Sequence, residues 1–177
     1  DTILGIYILL VLLRFLLQLV RADFYNPISQ FIVRATNPPL VRLRRFIPGL
    51  WGVDLAALAL LITMEVLRIS LTAMLLGHSP RWTGIIFLSL GELAKLAVYT
   101  IIFSIFIRAL LSWFSNGLQH PMTRLLGSFT DPILQPVRRI LPATGGIDLS
   151  PLVVFIAMML ILKLVVQPLL DLGRALL

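Results

Sequence analysis

The sequence contains no cysteine. That excludes disulfides, thiol catalysis, iron–sulfur ligation and zinc sites of the cysteine type. Histidine is almost as scarce: His78 and His120 stand far apart without ligand-like neighbours, so no metal centre is expected. Charge is sparse as well, at 13% of 177 residues, with 8 acidic side chains against 15 lysines and arginines. No nucleophile elbow, HExxH, P-loop or GxGxxG occurs, and the chain is read as non-enzymatic and cofactor-free. Nucleic-acid motifs are missing too, so the net charge of +7 is not read as a footprint for RNA or DNA.

What is present is apolar. Hydrophobic residues make up 59% of the chain, and the mean hydropathy is +1.00. A soluble domain of this size cannot hide so much apolar surface. Stretches of about 20 uninterrupted apolar residues match a bilayer core of about 30 Å. The expected fold is all-α and integral to a membrane, with four transmembrane helices. The first run, about Thr2 to Val20, carries Arg14 as its one charge. It lacks the charged lead and small-residue cleavage site of a secretory signal, and is expected to be a retained anchor. A second span is expected over about Asp54–Leu76, with Glu65 and Arg68 inside it. Thr83–Phe114 is helix-compatible throughout, about 48 Å at the helical rise, too long for one upright span. It is divided into an interfacial or re-entrant piece, Thr83–Lys95, and a third span, Leu96–Phe114. The fourth span, about Leu149–Leu169, holds Lys163.

Between the first two spans, Asn26-Pro27 reads as a capped helix start. Ile28–Ala35 is too short and polar to span, and Asn37-Pro38 is expected to close it. A second short helix, Pro39–Ile47, then makes an amphipathic helical hairpin at the membrane surface. On the helical wheel Leu40, Leu43, Phe46 and Ile47 share a face, Arg42 and Arg45 lie opposite, and Arg44 falls inside the apolar face. In a second such hairpin, Leu134, Val137, Ile140 and Leu141 form the face, and Arg138 intrudes while Arg139 does not.

That recurrence extends along the chain. At one offset, the distance from Arg14 to Arg108, Pro27, Thr36, Pro38 and Leu40 fall on Pro121, Thr130, Pro132 and Leu134. Arg44, Arg45 and Pro48 fall on Arg138, Arg139 and Pro142; Gly52, Asp54 and Leu55 fall on Gly146, Asp148 and Leu149. Arginines, prolines, a glycine and an aspartate in one register point to two tandem copies, 1–76 and 96–177, joined by 77–95. Each unit has two spans, so both enter the membrane in the same direction and the repeat is parallel. Basic residues gather in the loops 21–50 and 115–146, which the positive-inside rule puts in the cytoplasm, with both termini outside.

Two copies of Pro…Thr-Asn/Asp-Pro…Leu…Arg-Arg…Pro…Gly-x-Asp-Leu between apolar spans resemble the YggT (YlmG) family of small membrane proteins, and the run Arg14–Pro27 resembles its two-repeat proteobacterial members. The resemblance covers nearly the whole chain. It implies a bacterial inner-membrane location and roles in osmotic-stress tolerance and potassium balance. Relatives are linked to cell division, and plastid relatives to nucleoid distribution and cytochrome b6 assembly. It implies no catalytic residues.

Three groups of side chains are candidates. Asp54 and Asp148 stand at span starts, where a carboxylate caps free N–H groups and suits the helix dipole. Each is also expected to pair with an arginine: Arg44 or Arg14 for Asp54, Arg138 or Arg108 for Asp148. Glu65 with Arg68, and Glu92 with Lys95, are spaced i, i+3 on one helix face. At bilayer depth charges cost roughly 2.5–3.5 kcal/mol each, so they need partners or line water. Structural pairing is weighed against a polar ion path that includes Lys163. Arg34, Arg42, Arg45, Arg124 and Arg139 are expected to meet anionic lipid head groups or a protein partner. A homo-oligomer is also open. Two functions remain: a scaffold or accessory factor in envelope, osmotic or ion homeostasis, including assembly or cell division, and a small ion or osmolyte transport component.

Overall fold

Leucine-rich and free of proline, Thr2–Leu19 forms the first helix, α1. It ends where Arg21 turns to φ 53°. The Arg21 N–H then reaches Gln18 O and the Ala22 N–H reaches Leu17 O, the bond pair of a Schellman stop. The structure, a computed structural model, describes residues 2–50, 52–77, 81–114, 121–141 and 148–177. His78, His120, Pro142 and Gly146 lie outside them.

Helix α2, Pro27–Leu43, starts as the Asn26-Pro27 pair predicts. The Asn26 carboxamide oxygen accepts from the Ile28 N–H at 2.9 Å, and proline takes the first helical position. It does not stop at Asn37-Pro38. Pro38 and Pro39 lie inside one continuous helix, as Pro132 and Pro136 lie inside α5, Pro121–Ile140. The expected helical hairpins are therefore single helices. Each proline removes a backbone bond, but an arginine from a neighbouring helix binds the residues just ahead of Pro38 and of Pro132, as described below. Tertiary contact overrides the local breaker.

A tight turn joins α2 to α3. Leu50 and Val53 exchange backbone hydrogen bonds across it, and Gly52 adopts φ 85°, open to glycine at little cost. Asp54 then caps α3, Leu55–Leu75, its carboxylate accepting from the Ala57 N–H at 3.1 Å.

Helix α4 runs unbroken from Trp82 to Phe114, about 49 Å at the helical rise. The expected division near Lys95 does not occur. No proline interrupts it, and the hydroxyls of Ser89, Thr100 and Ser104 bond back to carbonyls of the preceding turn. Its first half also finds a partner. The chain's last helices, α6 (Ser150–Ile161) and α7 (Gln167–Ala175), join through a π-helical turn, Leu162–Val166. Pro168 follows that turn and has no N–H to give; the Gln167 N–H reaches back to Leu162. Leu88 of α4 packs with Val166 and Leu170, and Gly84, Gly91 and Gly173 let α4 and α7 approach closely.

Four helices are long and apolar enough to cross a membrane: Thr2–Leu19, Leu55–Leu75, Trp82–Ser112 and Ser150–Ala175. Among the described residues the chain is helical, without strands beyond the Leu50–Val53 bridge. The largest core cluster joins α1 (Ile8, Val11, Leu12), α3 (Leu61), α4 (Leu93) and α5 (Leu125, Phe129).

Candidate functional site

Arg14 projects from the second half of α1, an apolar helix, and is buried. Its guanidinium donates to Thr36 Oγ1 at 2.9 Å, Asn37 Oδ1 at 3.1 Å and the Val33 carbonyl at 3.1 Å. Thr36 passes the network on to the Ile32 carbonyl at 2.7 Å. All these acceptors lie in the turn of α2 that precedes Pro38. Arg108 repeats the arrangement from α4. It donates to Thr130 Oγ1 at 2.6 Å and Asp131 Oδ1 at 2.7 Å, just ahead of Pro132, and Thr130 bonds to the Leu126 carbonyl.

A second arginine stands beside each. Arg44, just past the end of α2, bonds the buried Asp54 carboxylate at the start of α3. Arg138 donates from Nε to Asp148 Oδ2 at 2.9 Å and from Nη2 to the same oxygen at 2.7 Å, and reaches Asp131 at 3.3 Å. Asp54 thus takes Arg44 and Asp148 takes Arg138, while Arg14 and Arg108 bind the Thr-Asn and Thr-Asp pairs. The carriers of that second contact, Thr36, Asn37, Thr130 and Asp131, escaped the sequence reading. They stand in the repeated motif, where a threonine beside a residue that precedes proline reads as a helix stop rather than as an acceptor for a buried arginine.

The two knots differ at one position. The first holds Arg14, Arg44 and Asp54 around a neutral Asn37; the second holds Arg108, Arg138 and Asp148 around a charged Asp131. Burial alone would raise the Asp54 carboxyl. Hydrogen bonds from Arg44 and the Ala57 N–H, with the charges of Arg44 and Arg14, outweigh that and hold it below the usual carboxylate range. At Asp148, burial is again offset, by hydrogen bonds from Ser150 and from Arg138, and the carboxyl is again lowered.

A separate charge network lies within the apolar helices. Glu65, fully buried on α3, accepts from Arg68, whose Nε is 3.2 Å from each carboxylate oxygen. On α4, Lys95 and Glu92 are 3.3 Å apart. The two pairs are each formed within one helix, Glu65–Arg68 on α3 and Glu92–Lys95 on α4. Lys163 is part of neither: it lies exposed in the π-helical turn, with no carboxylate in salt-bridge range among the described residues. Arg34, Arg42, Arg45, Arg124 and Arg139 are all exposed. An ion pair that the sequence reading passed over, Arg174–Asp171 at 3.1 Å, sits on α7. Among the described residues no group of three or more His, Asp or Glu side chains could hold a metal.

Chemically, the knots can brace. Each ties α2 or α5 to a long apolar helix on one side and to the start of the next on the other. Among the described residues, nothing in them presents an activated nucleophile or an open acid–base pair.

A profile of the CCB3/YggT family matches residues 1–75 and 87–169. An uncharacterized protein of Pseudomonas aeruginosa is 44% identical over 94% of this chain and 86% of its own length. A Vibrio alginolyticus protein from the proC 3′ region is 42% identical over 89% and 86%, and the Escherichia coli K12 protein YggT is 35% identical over 91% and 84%. No solved structure matches the chain.

Proposed function

The chain belongs to the CCB3/YggT family, and from that premise we propose that it is a multi-pass inner-membrane scaffold or accessory factor that supports envelope, osmotic or ion homeostasis without catalysis. It is built as two parallel copies of one unit, span, surface helix, span, with both surface helices at the cytoplasmic leaflet. Arg14 with Arg44 and Arg108 with Arg138 fix those helices in place. The outward-facing basic residues then contact anionic lipid phosphate, each contributing about 1 kcal/mol near such a surface.

The observation that carries this reading is the contrast between two sets of arginines. Those at the knots are spent on internal partners, whereas Arg34, Arg42, Arg45, Arg124 and Arg139 are exposed and in no ion pair among the described residues. The intramembrane charges favour the scaffold over a transport component. Glu65 pairs with Arg68 within α3 and Glu92 with Lys95 within α4, and the cavity between α4 and α6 is lined by apolar side chains apart from Tyr99.

Purified protein in phosphatidylcholine vesicles, with and without phosphatidylglycerol, tests the lipid contact. The wild-type protein gains thermal stability with the anionic lipid, and a variant carrying Arg42→Gln, Arg45→Gln and Arg139→Gln loses most of that gain. Equal gains would overturn the lipid reading. Ion flux into the same vesicles that Glu65→Gln abolishes would replace the scaffold by the transport component.

A further inference from the structure

The two knots are alike, but the apolar faces next to them are not. Positions that are core in the first half are bare in the second. Leu61 on α3 is 1% exposed, while Phe155, ninety-four residues on in α6, is 42% exposed. Leu12 on α1 is 4% exposed, while its counterpart Phe106 on α4 is 56% exposed. Ile8 is buried and Ile102 only partly so. Together Ile102, Phe103, Phe106, Leu152 and Phe155 line an open groove of about 540 Å³ between α4 and α6.

The matching groove of the first half, between α1 and α3, is filled by the second half. Leu93, Leu96, Ala97 and Ile101 of α4 pack into the cluster around Ile8, Leu12 and Leu61, and Leu125 of α5 joins them. Two first-half counterparts of those filling residues are left uncovered. Ile3, the counterpart of Ala97, is 85% exposed, and Phe31, the counterpart of Leu125, is 64% exposed. The molecule thus carries an empty socket at one end and an unused plug at the other. Inside the chain, plug and socket of this kind are already joined.

We propose that the α4–α6 groove takes α1 and the Phe31 side of α2 from a second copy of this chain, continuing the interface that already joins its two halves. The inference rests on the two-copy reading above. Helix α1 meets the groove on uncharged positions: Met159 on α6 and Leu162 in the π-helical turn stand where Glu65 and Arg68 stand on α3, and α1 offers Ile3 and Ile6. An apolar helix therefore enters this socket without burying a lone charge. The contact is head to tail, so it generates a ring if the rotation closes. Because the copies enter the bilayer in the same direction, the ring axis runs along the membrane normal, and a dimer of four units is the smallest such ring.

The absence of cysteine makes the test direct. Ile3→Cys and Phe155→Cys are made in separate, differently tagged chains, produced together, and oxidised in native membranes with a membrane-permeant oxidant. A linked pair containing both tags is expected, and neither variant alone should link. Phe106→Cys replaces Phe155→Cys in a parallel experiment. Silence at both groove positions would overturn the proposal and leave the groove to lipid chains; a Phe155→Cys chain linking to itself would overturn it in favour of a face-to-face contact. Leu61→Cys with Leu93→Cys in one chain separates this from failure of the underlying reading. If that internal link forms while the mixed pair stays silent, only the self-association falls. If the internal link is absent, the arrangement of the two halves falls with it.

Discussion

Asp54 does two jobs that a single substitution can divide. Its carboxylate caps α3 through the Ala57 N–H and neutralises Arg44. Asparagine caps a helix as well as aspartate does, so Asp54→Asn removes the charge pairing and spares the cap. The loss is expected to be about 1–3 kcal/mol, the range for hydrogen bonds to charged groups, read as an earlier melting transition in detergent. Asp148→Asn should cost less, because Asp148 is exposed and Asp131 remains as a second partner for Arg138. A larger loss at Asp148 would show that burial does not set the strength of these pairs. Acid should act on the same bond. The folded-state carboxyl of Asp54 is depressed, so its contribution is complete above the unfolded value, about 4, and disappears as pH falls through the lower folded value. Asp54→Asn protein should lack that part of the acid sensitivity. At this scale the sequence was legible where a residue's chemistry was unusual for its place. Arg44 and Arg138 were visible as arginines on an apolar face, and the structure sets each against an aspartate. Thr36 and Asn37 gave no such signal, because a threonine and an asparagine before proline already have a local explanation as a helix stop.

The elements were misjudged for a related reason. Proline pairs read as breaks, yet α2 passes through Pro38 and Pro39 because Arg14 supplies polar contacts at that turn. Such a contact is separated by about 20 residues in the chain and has no local signature. Length misled in the opposite sense at α4. Its residues before Lys95 looked surplus to one span, and their partner, α7, is the last helix of the chain. The α4–α7 seam makes its own prediction. A Cβ at Gly173 would sit 2.7 Å from the Leu88 backbone nitrogen and 3.1 Å from its Cα, which cannot turn aside. At Gly91 the obstruction is the flexible end of the Leu170 side chain. Gly173→Ala should therefore cost about 1–3 kcal/mol, the usual penalty for overpacking. Gly91→Ala should cost less, since alanine also favours the helix by about 1 kcal/mol over glycine. Melting of the two variants in the same detergent checks the order. Equal melting would mean that the Leu88 backbone gives way to a Cβ as readily as the Leu170 side chain does.

For the whole molecule, the distribution of arginine predicts which way it faces. The segment between α1 and α3 holds Arg21, Arg34, Arg42, Arg44 and Arg45, and the segment between α4 and α6 holds Arg124, Arg138 and Arg139. The other side has Arg81 and Arg174. Basic residues near span ends favour the cytoplasmic side, and with two spans, α3 and α4, between them both segments are expected there together. Phe46 and Leu76 are exposed and lie at opposite ends of α3, so single thiols at these positions report the two sides in an otherwise cysteine-free chain. A membrane-impermeant thiol reagent added to cells whose outer membrane has been opened should label Leu76→Cys at once. It should label Phe46→Cys only after the inner membrane is breached. The reverse pattern would turn the molecule over, and the five exposed arginines would then face away from the cytoplasmic leaflet. Lipid contact through α2 and α5 would lose its electrostatic basis, although the arginine knots and the internal packing of the helices would be unchanged. Labelling of both sites in intact inner membranes would instead mean that α3 does not cross the bilayer, and the four-span topology itself would fail.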